Sequence, residues 1–158
     1  MQPFVPKVLE EPSFLEIRDI YQHVLVLQGK TLIAVPEDEM VNPITLMSTP
    51  CRDESLDKGK GNPIYLGIAD HELCLCCAES GGEPILKLED EDIMELYHSQ
   101  NTEKSFVFYH NNNGMFSTFE SAAYPGWFTC SSRENGKPLM MTKDNGRDGI
   151  NFYFNSRN

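Results

Sequence analysis

Short runs in which apolar and polar residues alternate, each closed by Gly, Pro, Asn or Asp, recur along this chain, and no long segment keeps a helical period. This rhythm constrains the fold more than any other feature. It predicts strands at 16–20, 24–27, 31–35, 44–48, 64–68, 73–78, 85–88, 106–110, 115–121, 127–131, 138–142 and 151–154, twelve in all. Hairpins open near Val24, Leu73 and Trp127, each with one strand before it and one after, so a four-strand unit repeats with a period of roughly 50 residues. Units this small cannot bury their own apolar faces. Three of them can close into a six-stranded barrel capped by three hairpins, the β-trefoil, and closure removes the exposed strand edges that invite aggregation. The expected fold class is all-β, a β-trefoil of twelve strands in three pseudo-repeats. Leu25, Leu32, Leu66, Leu75, Leu86, Phe108, Phe119 and Phe128 are its expected core.

Turn chemistry sits where this repeat needs it. Gln28-Gly29-Lys30, Ser80-Gly81-Gly82 and Glu134-Asn135-Gly136 would join the three hairpins. In Phe119-Glu120-Ser121-Ala122-Ala123-Tyr124-Pro125-Gly126-Trp127-Phe128, a strand end is welded to a turn whose Pro presets φ. Trp127-Phe128 then supplies bulky apolar surface, expected to anchor the core rather than to stack on a sugar. Two stretches escape the strand pattern. Residues 50–62 form a polar, charge-mixed loop with Gly59 and Gly61, and 89–97 suits one or two helical turns with acids at the N-terminal end and Ile93, Leu96 and Tyr97 turned inward.

At 158 residues the chain fits one domain with a core that needs no covalent staples. A net charge of −11 opposes attraction to phosphate backbones, so no nucleic-acid partner is expected. No apolar run approaches the roughly 20 residues that span a bilayer, which argues against membrane insertion. The stretch Met1-Gln2-Pro3-Phe4-Val5-Pro6 lacks a basic segment followed by an apolar one, so no secretory signal is visible. Five cysteines, three of them in Cys74-Leu75-Cys76-Cys77, do not read as a disulfide framework, and no Asn-x-Ser/Thr sequon occurs. Both features fit synthesis in the reducing cytoplasm.

Motifs that carry chemistry are missing. The cysteine run has no second C-x-x-C or Cys/His pair to complete a zinc site, and on a strand Cys74 and Cys76 would share one face while Cys77 takes the other, as small buried thiols. His23, His71, His98 and His110 are scattered near strand ends and are expected at the surface or in turns. The acids of 89–92 lack the spacing and central Gly of a calcium loop. No G-x-S-x-G, P-loop or G-x-G-x-x-G is present. No catalytic residue, metal ligand or cofactor is assigned, and the chain is read as a binding protein, not an enzyme.

The corner at 119–128 resembles the C-terminal signature of the interleukin-1 cytokine family, within it the interleukin-36 branch. The segments Leu32-Ile33-Ala34-Val35-Pro36, Gly61-Asn62-Pro63-Ile64-Tyr65-Leu66-Gly67-Ile68, Leu73-Cys74-Leu75-Cys76, Ile93-Met94-Glu95-Leu96-Tyr97 and Phe106-Val107-Phe108-Tyr109-His110 resemble the same branch, in family order. The resemblance implies a secreted, monomeric trefoil cytokine made without a signal peptide. It would bind an interleukin-36 receptor chain with immunoglobulin-like domains and recruit the interleukin-1 receptor accessory protein to drive inflammatory signalling.

Receptor contacts are expected in the 50–61 and 144–149 loops, at Arg52, Lys58, Asn145, Arg147 and Asp148, because polar loops on a rigid barrel present contacts without disturbing the core. The segment 142–152 is short, as in the branch's agonists, and lacks the insertion of its receptor antagonist, whereas 119–128 and 151–154 look as much like the antagonist; the expectation is agonist, with antagonist the alternative. Ile17-Arg18-Asp19 resembles the aliphatic-x-Asp tripeptide that sets the mature start about nine residues upstream. Counting back places that start at Val8, after Lys7, leaving 1–7 as a flexible propeptide-like tail and 8–158 as the cytokine domain. Two readings of another class stay open. A heparin-binding growth factor would need a basic patch where only isolated Lys137, Lys143, Arg147 and Arg157 stand, and an intracellular or lectin-like trefoil would act without a receptor.

Overall fold

The computed structural model describes residues 11–157. Strands run as β1 (Ser13–Asp19), β2 (His23–Gln28), β3 (Thr31–Pro36), β4 (Leu46–Pro50), β5 (Asn62–Ile68), β6 (Leu73–Ser80), β7 (Glu83–Asp90), β8 (Val107–Asn112), β9 (Ser117–Ser121), β10 (Phe128–Cys130), β11 (Lys137–Pro138), β12 (Met140–Thr142) and β13 (Phe152–Ser156). One short helix, α1 (Ile93–His98), stands between β7 and β8. The expected strand at 138–142 is broken in two at Leu139: β11 pairs with β3, whereas β12 pairs with β10. Thirteen strands therefore stand among the described residues where twelve were expected.

Antiparallel pairing closes a ring. β1 pairs with β4, β4 with β5, β5 with β8, β8 with β9, β9 with β13, and β13 returns to β1. This six-stranded barrel carries the hairpins β2–β3, β6–β7 and β10–β12, whose first strands begin at or next to Val24, Leu73 and Trp127 as the repeat predicts. The fold is a β-trefoil. Its hairpin turns place Gly29, Gly81, Gly82 and Gly136 at positive φ, the conformation for which glycine is the default.

Strand alternation divides the apolar residues between two cores. Leu25, Leu32, Leu66, Leu75, Phe108 and Phe119 fill the barrel with Leu15, Leu46, Cys77 and Phe152. Cys74 and Cys76, on the opposite face of β6 from Leu75 and Cys77, join a second core with Cys51, Leu56, Tyr65, Ile93, Leu96, Val107 and Tyr109. All five cysteines are buried and free, as the spacing implied.

Two core expectations need correction. Leu86 is only half-buried against the barrel, and Phe128 is half-buried because in β10 the inward position falls to Thr129, which lines the barrel interior with Leu25, Leu46 and Phe152. Trp127, also half-buried, still packs on the barrel core. Met115 is not in a strand: Gly114 at φ 98° turns the chain there and leaves Met115 exposed, so β9 starts at Ser117. In α1, Ile93 and Leu96 face the second core while Tyr97 is half-buried, and Asp92 caps the helix by accepting the Met94 N–H at 2.9 Å.

Candidate functional site

The corner at 119–128 is held by a run of hydrogen bonds. Ser121 N–H donates to the Trp127 carbonyl at 2.9 Å, Trp127 N–H to the Tyr124 carbonyl at 3.1 Å, and Tyr124 N–H to Ser121 Oγ at 3.0 Å. Glu120 reaches back from β9 so that Oε2 accepts the Gly126 N–H at 2.8 Å. The same oxygen receives Lys60 Nζ at 3.0 Å. A carboxylate near the end of β9 thus ties the turn to the 50–61 loop, and it is what pushes the Lys60 ammonium up from its ordinary pKa, by hydrogen bond first and by charge second.

That loop is anchored on both sides of its exposed span. Cys51 N–H donates to the Pro63 carbonyl at 2.9 Å, Leu56 is buried in the second core, and Asp57 N–H reaches the Tyr109 hydroxyl at 3.3 Å. Gly61 sits at φ 128°, where a Cβ would lie 2.7 Å from the His110 carbonyl oxygen, so only glycine lets the loop return to β5. Arg52 is exposed but not loose: Nη2 donates to the Tyr97 carbonyl at 3.1 Å and the guanidinium lies 4.2 Å from the Tyr97 ring centroid. Beside it, the Ser55 hydroxyl and N–H hold the Asp53 carboxyl below its usual range, helped by the Thr102 hydroxyl. Arg52, Asp53, Tyr97, His98 and Thr102 line an open depression of about 500 Å³. Lys58 lies in a short 3-10 turn, Lys58–Lys60, within the same loop.

The 143–151 segment is built in two parts. At its base Gly149 and Ile150 are buried: the Gly149 carbonyl accepts Ser131 N–H at 2.9 Å, and a Cβ on Gly149 would fall 2.2 Å from the Ser131 carbonyl oxygen. Its tip, 143–148, is exposed throughout. Asp144 organises it, accepting the Gly146 N–H on Oδ1 at 3.1 Å and the Arg147 N–H on its carbonyl at 3.2 Å. Asn145, Arg147 and Asp148 are therefore presented to solvent on a fixed base. Lys143 Nζ lies 5.8 Å from the Trp127 ring centroid, which brings this loop to the corner. Lys60 and Lys143 thus link each candidate loop to the 119–128 corner.

The third sequence-marked element lies elsewhere. Ile17 and Asp19 are buried in and at the end of β1, and Lys7 and Val8 fall outside the described residues. Asp19 Oδ1 accepts the N–H of Tyr21 at 3.0 Å and of His23 at 2.8 Å, while Oδ2 meets His23 Nδ1 at 2.7 Å and accepts the Ser131 hydroxyl. His23 is thus buried, against the expectation of a surface or turn histidine, because the chain folds its ring onto the Asp19 carboxylate and the Asn135 Oδ1, 2.8 Å from Nε2. Ser131 bonds the carboxylate and not the imidazole, so the trio has no hydrogen bond from nucleophile to base. It is a structural clasp from β1 to the third hairpin. His110 is also half-buried, packed in a three-ring cluster with Phe119 and Phe154, its Nε2 2.8 Å from Ser117 Oγ; His71 and His98 are exposed. Sequence reasoning missed Glu120, Lys60 and Tyr97 as organisers. The one available signal was Glu120 itself, a carboxylate between Phe119 and Ser121 in a strand end.

Comparison with known proteins agrees with this architecture. The interleukin-1/18 family model matches residues 46–154, which is more than half of the chain. Human interleukin-36 alpha is 47% identical over 140 residues, covering 88% of this chain and 89% of that protein. Mouse interleukin-36 beta is 41% identical over 149 residues, covering 93% and 81% respectively. The solution structure of interleukin-36alpha superposes with a TM-score of 0.76 at 41% identity, over 99% of both chains. With a closed trefoil barrel and these relatives, the chain belongs to the interleukin-1 family of cytokines and is of the interleukin-36 type.

Proposed function

We propose that this chain is an interleukin-36-like agonist. It acts outside the cell, where it binds a receptor chain with immunoglobulin-like domains and then recruits the interleukin-1 receptor accessory protein, so that two intracellular signalling domains are brought together. The observation that carries the reading is that the 50–61 loop and the short 143–151 loop, both clamped at their bases with exposed polar residues, each contact the 119–128 corner, through Lys60 and Lys143. A stable interface of this kind needs about 1,200–2,000 Å² in total. Similarity to interleukin-36alpha, described in its solved structure as a pro-inflammatory cytokine, supports the agonist sense over the antagonist one. Arg52, Lys58, Asn145, Arg147 and Asp148 are the proposed receptor-contact residues, with Arg52 held ready by Tyr97.

Processing is part of the proposal. The active form begins at Val8 after Lys7, because Ile17-Arg18-Asp19 resembles the tripeptide that fixes the mature start. The structure gives Asp19 a second duty as the buried clasp. Cells with and without the interleukin-36 receptor, treated with the full chain and with a form starting at Val8, test the reading. Receptor-dependent inflammatory transcription, stronger for the Val8 form, supports it; blockade of another agonist without transcription identifies an antagonist, and equal potency of the two forms removes the processing step.

A further inference from the structure

The sequence contains three Asn-Gly dipeptides, Asn113-Gly114, Asn135-Gly136 and Asn145-Gly146, all exposed to solvent. An asparagine followed by glycine is chemically labile, because the small neighbour lets its backbone nitrogen approach the side-chain amide carbon. Exposure does not separate the three sites. Their hydrogen bonds do.

At Asn135, both reacting groups are occupied: Gly136 N–H donates to the Ala34 carbonyl at 2.7 Å, and Asn135 Oδ1 lies 2.8 Å from His23 Nε2. At Asn113, Oδ1 accepts the N–H of Phe116 at 2.8 Å and of Met115 at 3.2 Å, and Gly114 N–H donates to Asn112 Oδ1 at 2.7 Å. At Asn145, the side-chain amide has no partner among the described residues, and Gly146 N–H makes the longest of the three glycine bonds, 3.1 Å to the exposed Asp144 carboxylate. Gly146 also stands where the backbone is not locked at positive φ, unlike Gly114 at 98° and Gly136 at 78°.

We propose that Asn145 is a self-modification site, at which deamidation converts the proposed receptor loop to an acidic form. The Gly146 nitrogen, its proton taken by water or hydroxide, attacks Asn145 Cγ; the bond from Cγ to the side-chain amide nitrogen breaks, and ammonia leaves as a cyclic imide closes. Water opens the imide at either carbonyl. The product is aspartate or isoaspartate, with one water consumed, one ammonia released and no change of oxidation state. Either product sets a new negative charge between Asp144 and Arg147, and isoaspartate also lengthens the backbone by one carbon at the tip of a loop whose base is fixed by Gly149. The chemistry is independent of any partner, whereas its consequence for signalling rests on the receptor reading above: the modification weakens receptor engagement as the cytokine ages.

The full chain is incubated at body temperature and mildly alkaline pH, digested at intervals and mapped by mass spectrometry with isoaspartyl labelling. Asn145 is expected to convert at least about tenfold faster than Asn113 or Asn135, since each of those must first give up a hydrogen bond that constrains the amide. Equal rates at the three sites, or a stable Asn145, overturn the assignment. The converted and native forms, separated by charge, are then compared for binding to the receptor ectodomain. About tenfold weaker binding of the converted form is expected, and equal binding of the two forms overturns the regulatory consequence. If the native form itself does not bind, the receptor reading fails while the conversion map stands.

Discussion

Lys60 Nζ and Glu120 Oε2 meet at 3.0 Å, and that contact joins the 50–61 loop to the turn at 119–128. The Glu120 side chain is nearly buried, with a relative exposure of 10%, and also accepts Gly126 N–H, so its carboxylate holds two segments at once. Surface ion pairs contribute little, but a mostly buried carboxylate with a backbone donor and an ammonium contributes more.

Glu120→Ala should therefore lower stability by about 1–2 kcal/mol and weaken receptor binding by loosening the loop, while Glu120→Gln, which keeps an acceptor for Gly126, should lose less. Chemical denaturation and binding to the receptor ectodomain check this together. Unchanged binding by the Ala variant would show that the corner does not organise the surface.

Asp19 is fully buried and satisfied by two backbone N–H groups, His23 and Ser131. Removing its carboxylate leaves those donors unpaired inside the protein. Asp19→Ala should cost about 3–5 kcal/mol, seen as a large drop in the denaturation midpoint, and Asp19→Asn less. A loss below about 1 kcal/mol would mean that the residue serves only the processing motif.

The fold was legible because alternation and turns are local signals. The hairpins beginning near Val24, Leu73 and Trp127 and the split facing of Cys74, Cys76 and Cys77 followed from a period of two. What escaped depends on contacts distant in sequence. Leu139 breaks a strand because Lys137 and Pro138 turn to β3; Phe128 yields the interior to Thr129; and His23 is buried by partners at Ser131 and Asn135. The candidate loops were visible as polar spans, but their joining at the corner through Glu120 and Trp127 appears only once the barrel is closed.

His110 supplies a pH dependence. Burial beside Phe119 and Phe154 lowers its pKa from the ordinary 6.5, and loss of hydration is the cause. The unfolded chain then binds the proton more readily than the folded one, so stability is intact above the unfolded-state pKa and falls as the pH drops through and below about 6.5. Denaturation midpoints across mildly acidic pH should fall less steeply for His110→Gln than for the parent chain. Parallel slopes would contradict a protonation penalty at this ring.

The cysteines should be chemically quiet. Burial raises Cys76, Cys77 and Cys130, and pushes Cys74 up to about 12, where Glu91 and Asp92 add to the effect. The thiolate is the reactive form, so little is present at neutral pH. Alkylation of the native protein should be slow at these four, and at Cys51 because it is buried from the reagent, and fast after unfolding, and activity should be the same with and without reductant. Rapid native alkylation, or a stoichiometric disulfide, would contradict the buried-thiol account.

In the proposed mode of action, an exposed tip on a clamped base engages the receptor. The measurement that tests it most directly is receptor and accessory-protein binding by the double variant Arg147→Ala, Asp148→Ala, made in the chain starting at Val8 and checked against the parent for thermal stability. Both side chains lie in the exposed tip, outside both cores, so the fold should be retained. An unchanged melting temperature is expected, with at least about tenfold weaker assembly of the ternary complex, equivalent to about 1.4 kcal/mol. Unchanged binding of receptor and accessory protein by a fully folded double variant would contradict it.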